Sequence, residues 1–195
     1  MVRKVAILIF DEVEVLDFCG PFEVFAVTGA RSEEKPFEVS TVAATAAPIT
    51  ARNGLSVNPN FTFADCPQAD ILIIPGGYGT RLLMHNQAVL DWIKAQATHA
   101  ELVMSVCTGA LLLAKVGLLE GLSATTHWGA MELLREVAPN TTVKPDERFV
   151  DNGRVLLSAG ISAGIDLSFH IVARLLGRAV AQETARWMEY DWKEL

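Results

Sequence analysis

Three apolar runs dominate the hydropathy pattern: Val5–Phe10, Ile71–Ile74 and Leu102–Val106. Each is continuous rather than alternating. That is the pattern of strands buried on both faces, as in a parallel sheet with helices on either side. Phe37–Ala44 alternates at its start and predicts a further strand. Two Asn-Gly pairs predict hairpins. Asn53-Gly54 suits a two-residue type I′ turn between Ile49 and Val57, and Asp151-Asn152-Gly153 joins Arg148–Val150 to Arg154–Leu157. Helices are predicted between the strands. Pro21–Val27 has proline in its first turn and Gly29 beyond its end. Asn86 caps Gln87–Thr98, and Thr108–Val116 stops at Gly117. Trp128–Val137 stops before Pro139, Ile165–Leu176 stops at Gly177, and Arg178–Tyr190 is the last helix. No internal repeat, low-complexity stretch or linker breaks the alternation. The expectation is one α/β domain over residues 1–195, a three-layer sandwich on a mostly parallel central sheet. Ligands of such sheets bind beyond the carboxyl ends of the strands. The turn at Asp11–Asp17, the Pro75-Gly76-Gly77 turn and Cys107 all fall there.

Cys107 ends the third apolar run, and an apolar, helix-favouring run starts directly after it. Ser105 and Gly109 stand two residues before and after. Strand, sharp turn and helix, with small residues beside the bend, form a nucleophile elbow. Free N–H groups and the positive end of a helix dipole favour a thiolate, so a thiol there is expected to titrate below its usual value of about 8.5. The plainer alternative is a small buried hydrophobe at a strand end. The elbow context favours the nucleophile. Cys19 and Cys66 lack that context.

Composition narrows the classes. Half of the 195 residues are hydrophobic and a fifth are charged, which fits a globular chain with a full core. A formal charge of -7 argues against a nucleic-acid surface, and no apolar stretch is long enough to span a bilayer. The segment after Met1-Val-Arg-Lys is shorter than a signal-peptide core and has no cleavage site after it. Three unpaired cysteines point to a reduced, cytoplasmic protein.

Other residues carry two readings each. Asp17, after the first strand, either caps the next helix or places a carboxyl group beside Cys107 to move protons; on spacing alone, capping is the plainer. Glu23 is the competing carboxylate. Gly76-Gly77 is either a tight turn or the source of a backbone N–H that, with the N–H of Thr108, forms an oxyanion site. The Thr108 hydroxyl either donates to a ligand or caps its own helix. His127 either lines the site or is packed and hydrogen-bonded. His170 reads as structural. No histidine pair has metal-ligand spacing and no Cys-x-x-Cys occurs, so no metal is expected.

Several motifs in order resemble the ThiJ/PfpI superfamily, which shares its fold with class I glutamine amidotransferases. They are Leu16-Asp17-Phe18-Cys-Gly20-Pro21-Phe-Glu23, Phe63-Ala-Asp65-Cys-Pro67, Ile74-Pro75-Gly76-Gly77, Ser105-Val-Cys107-Thr108-Gly109-Ala, Ala124-Thr-Thr-His127-Trp128 and Gly160-Ile161-Ser-Ala-Gly164-Ile-Asp166. The resemblance implies a flavodoxin-like sandwich with a nucleophile elbow. Within the superfamily the chain looks most like isocyanide (isonitrile) hydratases. That likeness implies Cys107 as nucleophile and Asp17 as its carboxyl partner. It places Thr108 and the Gly77 backbone around the reacting group, with Gly160 and Ile161 in a loop nearby; His127, within the shared Ala-Thr-Thr-His-Trp motif, keeps its two readings.

The implied reaction is hydration of a small, neutral organic isocyanide to an N-substituted formamide through a covalent thioimidate. No cofactor is implied, and the resemblance suggests a homodimer. The same domain resembles the ligand-sensing half of AraC-type regulators, which continue into a helix-turn-helix; this sequence reaches Trp192-Lys-Glu-Leu195 without one. PfpI-type peptidases place histidine directly after the cysteine, where Thr108 stands, and His170 does not sit in the late His-Glu motif of the amidotransferases. A redox-sensing or ligand-binding module is the rival reading. A glyoxalase or deglycase acting on methylglyoxal is another, although those relatives often carry glutamate in place of Asp17.

Overall fold

Seven strands form the central sheet of the computed structural model, which describes residues 2–193. Met1, Glu194 and Leu195, at the ends of the expected 1–195 domain, lie outside the described residues. In chain order the elements are β1 (Arg3–Leu8), α1 (Val15–Val27), β2 (Phe37–Ala43), β3 (Ile49–Thr50), β4 (Ser56–Val57), β5 (Phe61–Thr62), β6 (Ile71–Ile74), α2 (Thr80–Leu83), α3 (Gln87–His99), β7 (Leu102–Val106), α4 (Gly109–Lys115), β8 (Ser123–Ala124), α5 (Met131–Val137), β9 (Thr142–Val143), β10 (Phe149–Asp151), β11 (Val155–Ser158), α6 (Ala163–Leu176) and α7 (Arg178–Trp187). The sheet order is β10-β11-β7-β6-β1-β2-β5, and only β10 runs antiparallel to its neighbour. α1, α6 and α7 pack together as one layer, and α4 gathers α2, α3 and α5 as the other. The architecture is a flavodoxin-like three-layer α/β sandwich. Among the described residues, no helix is long and apolar enough to cross a membrane.

The continuous apolar runs become the middle of the sheet. Every residue of β6 and β7 is buried, as are Val5 to Leu8 of β1. Removing one such aliphatic side chain from water stabilises the fold by roughly 1.5–3 kcal/mol. Because β1, β6, β7 and β11 are parallel, their carboxyl ends open on one side. Four connections meet there: 9–14, 75–79, 107–108 and 159–162.

Three local expectations need correction. The first helix starts at Val15, not Pro21, and Pro21 lies inside it. The buried stripe Asp17, Phe18, Pro21, Val24, Phe25 has helical period throughout, and that packing outweighs the single hydrogen bond that proline cannot donate. The Asn53-Gly54 hairpin is wider than two residues. Thr50 pairs with Ser56, and a 3₁₀ turn at Arg52–Gly54 lies between, although Asn53 (φ 62°) and Gly54 (φ 89°) do adopt the left-handed region. Residues 128–137 form a 3₁₀ turn, Trp128–Ala130, before α5. The second hairpin forms as expected, with Asp151 opposite Leu156 and Gly153 at φ 84°.

Candidate active site

Cys107 has φ 55°, the left-handed backbone of a sharp elbow, at the end of β7. The strand cannot hold a non-glycine residue there unaided, so neighbours fix both of its backbone groups. Its N–H is shared between the carbonyls of Ser158 (3.2 Å) and Ala159 (3.0 Å), and Thr126 Oγ1 donates to its carbonyl at 2.7 Å. The turn also needs Gly109. A methyl group there would sit 1.9 Å from the Ile74 carbonyl oxygen.

Asp17 lies in the first turn of α1 and is fully buried. It is no helix cap, since Glu14 occupies that position. Its Oδ2 accepts from the Gly76 N–H at 2.9 Å, across 59 residues of sequence. Oδ1 has no partner in full hydrogen-bond geometry; the Cys107 thiol and the Ile161 N–H act on the carboxyl group from looser positions. Burial raises the Asp17 pKa to about 7, against the opposing pull of the Gly76 N–H, and Glu14 adds to the rise. The Cys107 thiol is pushed up to about 12, by burial first and by Asp17 second, while the Thr108 N–H and hydroxyl oppose the rise. The lowered thiol expected at a helix start is therefore reversed. Only 6% of Cys107 is exposed, and a buried sulfur beside a carboxylate loses more solvation than one short helix returns. The two groups titrate as a pair.

Gly76 and Gly77 bring backbone against this pair. A Cβ on Gly76 would meet Thr108 N at 2.5 Å, Thr108 Oγ1 at 2.6 Å and Asp17 Oδ2 at 2.9 Å. Gly77 has φ 130°, and a Cβ there would lie 2.2 Å from the Glu12 carbonyl. The Gly77 N–H does not stand free as an oxyanion donor. It donates to Thr108 Oγ1 at 3.0 Å, so the Thr108 hydroxyl is held by the β6 turn instead of capping α4.

A hollow of about 310 Å³ opens over the sulfur, lined by Gly77, Cys107, Thr108, His127 and Ile161 together with Glu14, Tyr78, Arg81 and Trp128. His127 Nδ1 accepts from the Gly129 N–H at 3.1 Å, which assigns the neutral ring's proton to Nε2. Gly160 makes room for that ring, since a Cβ there would touch His127 Cδ2 at 2.5 Å. Glu23 is exposed and lies away from the hollow's lining, beside Cys19. His170 pairs with Asp151 at 2.8 Å on β10, a structural position. A larger hollow of about 440 Å³ lies between Arg31 and α7, away from Cys107. Among the described residues, no group of three or more His, Cys, Asp or Glu is placed to hold a metal ion.

Sequence reasoning missed Glu14, Tyr78, Thr80, Arg81 and Thr126 as single residues. Thr126 falls inside the Ala-Thr-Thr-His-Trp motif, which was its available signal. Thr80 and Arg81 carried none, because α2 is one turn long and its contacts are set by the fold.

The chain is similar to several known proteins. An isonitrile hydratase from Pseudomonas putida is 36% identical over 190 residues, covering 97% of this chain and 79% of that protein. The HTH-type transcriptional regulator GbdR from Pseudomonas aeruginosa is 23% identical over 97% of this chain, which spans only 51% of the regulator. The crystal structure of a ThiJ/PfpI family protein from Pseudomonas syringae superposes with a TM-score of 0.89 at 28% identity, covering 100% of this chain and 77% of that one. The DJ-1/PfpI family profile matches residues 3–174, from the first strand through most of α6, and takes in the elbow, Asp17 and the Gly76-Gly77 turn: the chain belongs to the DJ-1/PfpI family.

Proposed function

We propose that this protein hydrates an organic isocyanide to an N-substituted formamide, with Cys107 as nucleophile and Asp17 as acid and base. The observation that carries the reading is the buried Asp17 carboxyl set against the thiol at the elbow, with a pKa of about 7. A carboxyl group at that value gives and takes protons at neutral pH. The 36% identity to an isonitrile hydratase supports the substrate class.

The steps balance. Ionised Asp17 takes the Cys107 proton as sulfur attacks the terminal isocyanide carbon. Protonated Asp17 then delivers that proton to the carbon, giving R–N=CH–S–Cys107. Asp17 next takes a proton from water as its oxygen adds to the same carbon, and passes that proton to the substrate nitrogen, which becomes N–H. Collapse of R–NH–CH(OH)–S–Cys107 breaks the C–S bond. The hydroxyl proton returns to sulfur, and R–NH–CHO leaves. The thiol does not need a low resting pKa in this scheme, because Asp17 removes its proton during attack. A redox sensor calls for an exposed thiolate; Cys107 is instead buried, with a carboxyl group beside it to take its proton during attack.

The test is loss of an aryl isocyanide with purified protein, with the formamide identified by mass. Turnover that falls at least ~10³-fold in Cys107→Ala is expected. No turnover by the reduced protein would overturn the assignment, and lactate from methylglyoxal would then favour a glyoxalase.

The rim of the hollow supports a homodimer. Tyr78, Trp128 and Ile161 are exposed there, and Leu16, next to Asp17 in α1, and Leu82 in α2 are exposed as well. An apolar rim of this kind fits a second copy of the chain. Sedimentation should show a dimer that Trp128→Glu weakens; a monomer at micromolar concentration would contradict it.

A further inference from the structure

Glu14 and Arg81 bring opposite charges to the wall of the hollow over Cys107. Their situations differ. Arg81 is engaged: its Nη1 donates to the Gly77 carbonyl at 3.1 Å, and its guanidinium carbon lies 5.5 Å from the centre of the Tyr78 ring. Glu14 stands at the cap position of α1, yet its side chain makes no capping hydrogen bond. Among the described residues its carboxylate has no ion-pair partner.

The backbone of Glu14 is held from both sides. Its N–H donates to the Gly76 carbonyl at 2.9 Å, and its own carbonyl accepts from the Asp17 N–H at 3.2 Å. The residue is therefore locked between the turn after β6 and the carboxyl group beside Cys107, and its charge adds to the rise at Asp17. A half-buried carboxylate in the wall of a hollow is screened less by solvent and salt than one on the open surface. With no counter-ion of its own, it acts on whatever approaches the sulfur.

We propose that Glu14 sets the charge specificity of this site: its carboxylate admits neutral and cationic electrophiles to Cys107 and disfavours anionic ones. Among isocyanides it selects neutral or cationic substituents over carboxylate-bearing ones. The proposal deepens the reading of Cys107 as the nucleophile and rests on it, whatever the nucleophile attacks.

The experiment compares three thiol reagents of one chemistry and different charge: methyl, trimethylammonioethyl and sulfonatoethyl methanethiosulfonate. Each forms a disulfide with the Cys107 sulfur and releases methanesulfinate, while Asp17 takes the thiol proton. Labelling is followed on the unreduced Cys107 peptide by mass, so Cys19 and Cys66 do not contribute. Dividing each rate by that of the neutral reagent cancels any change in thiol ionisation. Wild type should favour the cation over the anion, and molar salt should shrink that preference. Glu14→Gln keeps the side-chain shape and should cut the cation-to-anion ratio roughly tenfold, because one partly exposed charge shifts the two rates in opposite directions. Glu14→Asp should keep most of the preference. Glu38→Gln removes an equal charge from an exposed position at the amino end of β2 and should leave the ratio as in wild type. An unchanged ratio in Glu14→Gln would overturn the proposal, as would an equal fall in Glu38→Gln, which marks net charge alone. Cys107 that reacts with none of the reagents would overturn it too, since the hollow would not lead to the sulfur. The reagents read the sulfur directly, so the result stands apart from the isocyanide assay. A protein that shows the expected ratios but leaves isocyanides untouched would refute the substrate and keep the role of Glu14.

Discussion

Asp17→Asn should give a folded protein that turns over isocyanide about 10²–10⁴-fold more slowly, the usual contribution of a positioned acid–base group. An asparagine oxygen still accepts from the Gly76 N–H, so the shape of the site persists. What it loses is the exchangeable proton. The same variant should remove a pH dependence of stability. The folded-state pKa of Asp17 is raised to about 7 from an ordinary value near 4. Between those values the native state holds the proton and the unfolded chain does not. Stability contributed by the neutral, buried carboxyl group is therefore present in acid and lost as pH rises toward 7. The loss is on the order of 4 kcal/mol. Asparagine has no such loss. Urea unfolding at pH 5 and pH 8 should show wild type weakening between the two far more than Asp17→Asn does; parallel curves would refute the raised carboxyl. In wild type, kcat/KM should rise through about pH 7. A proton on Asp17 with sulfur ionised is the same protonation count as its converse, so this limb belongs to the pair.

Gly109→Ala should disrupt the elbow itself. The new methyl carbon would lie 1.9 Å from the Ile74 carbonyl oxygen, 2.8 Å from its carbon and 3.0 Å from the Pro75 oxygen. All three are backbone atoms of the β6 strand end, so no side chain can swing aside. β6 or α4 must move, and either shift separates Cys107 from Asp17. A destabilisation of about 3 kcal/mol or more follows, at the upper end for overpacked sites. For a chain of this size that lowers Tm by roughly 6–12 °C. Thermal melting checks it, and a variant within 2 °C of wild type would show that the turn relaxes freely.

The middle of the fold was legible because β1, β6 and β7 are apolar on both faces, which leaves few alternatives. Cys107 was legible for a similar reason: a strand that turns into a helix within two residues needs Gly109. Two-residue strands such as β5, β8 and β9 carry no period and exist only through their neighbours. Asp17 was found, but its setting was misread. Pro21 looked like a helix start, while the buried stripe beginning at Asp17 already extended the helix backward. The direction of the thiol's pKa was also out of reach. A helix start can be read from local sequence, whereas burial beside a carboxylate 90 residues away depends on the sheet order. Thr80 and Thr126 reach the elbow through hydroxyl contacts to Thr108 and Cys107, 28 and 19 residues away, and nothing local in a threonine announces such a contact.

Covalent capture tests the central assignment most directly. Protein quenched in acid during turnover of an aryl isocyanide should carry an added mass equal to that of the isocyanide, on the peptide containing Cys107, with none in Cys107→Ala. Formamide accumulating while Cys107 stays unmodified, or while Cys107→Ala still turns over at the wild-type rate, would contradict the account.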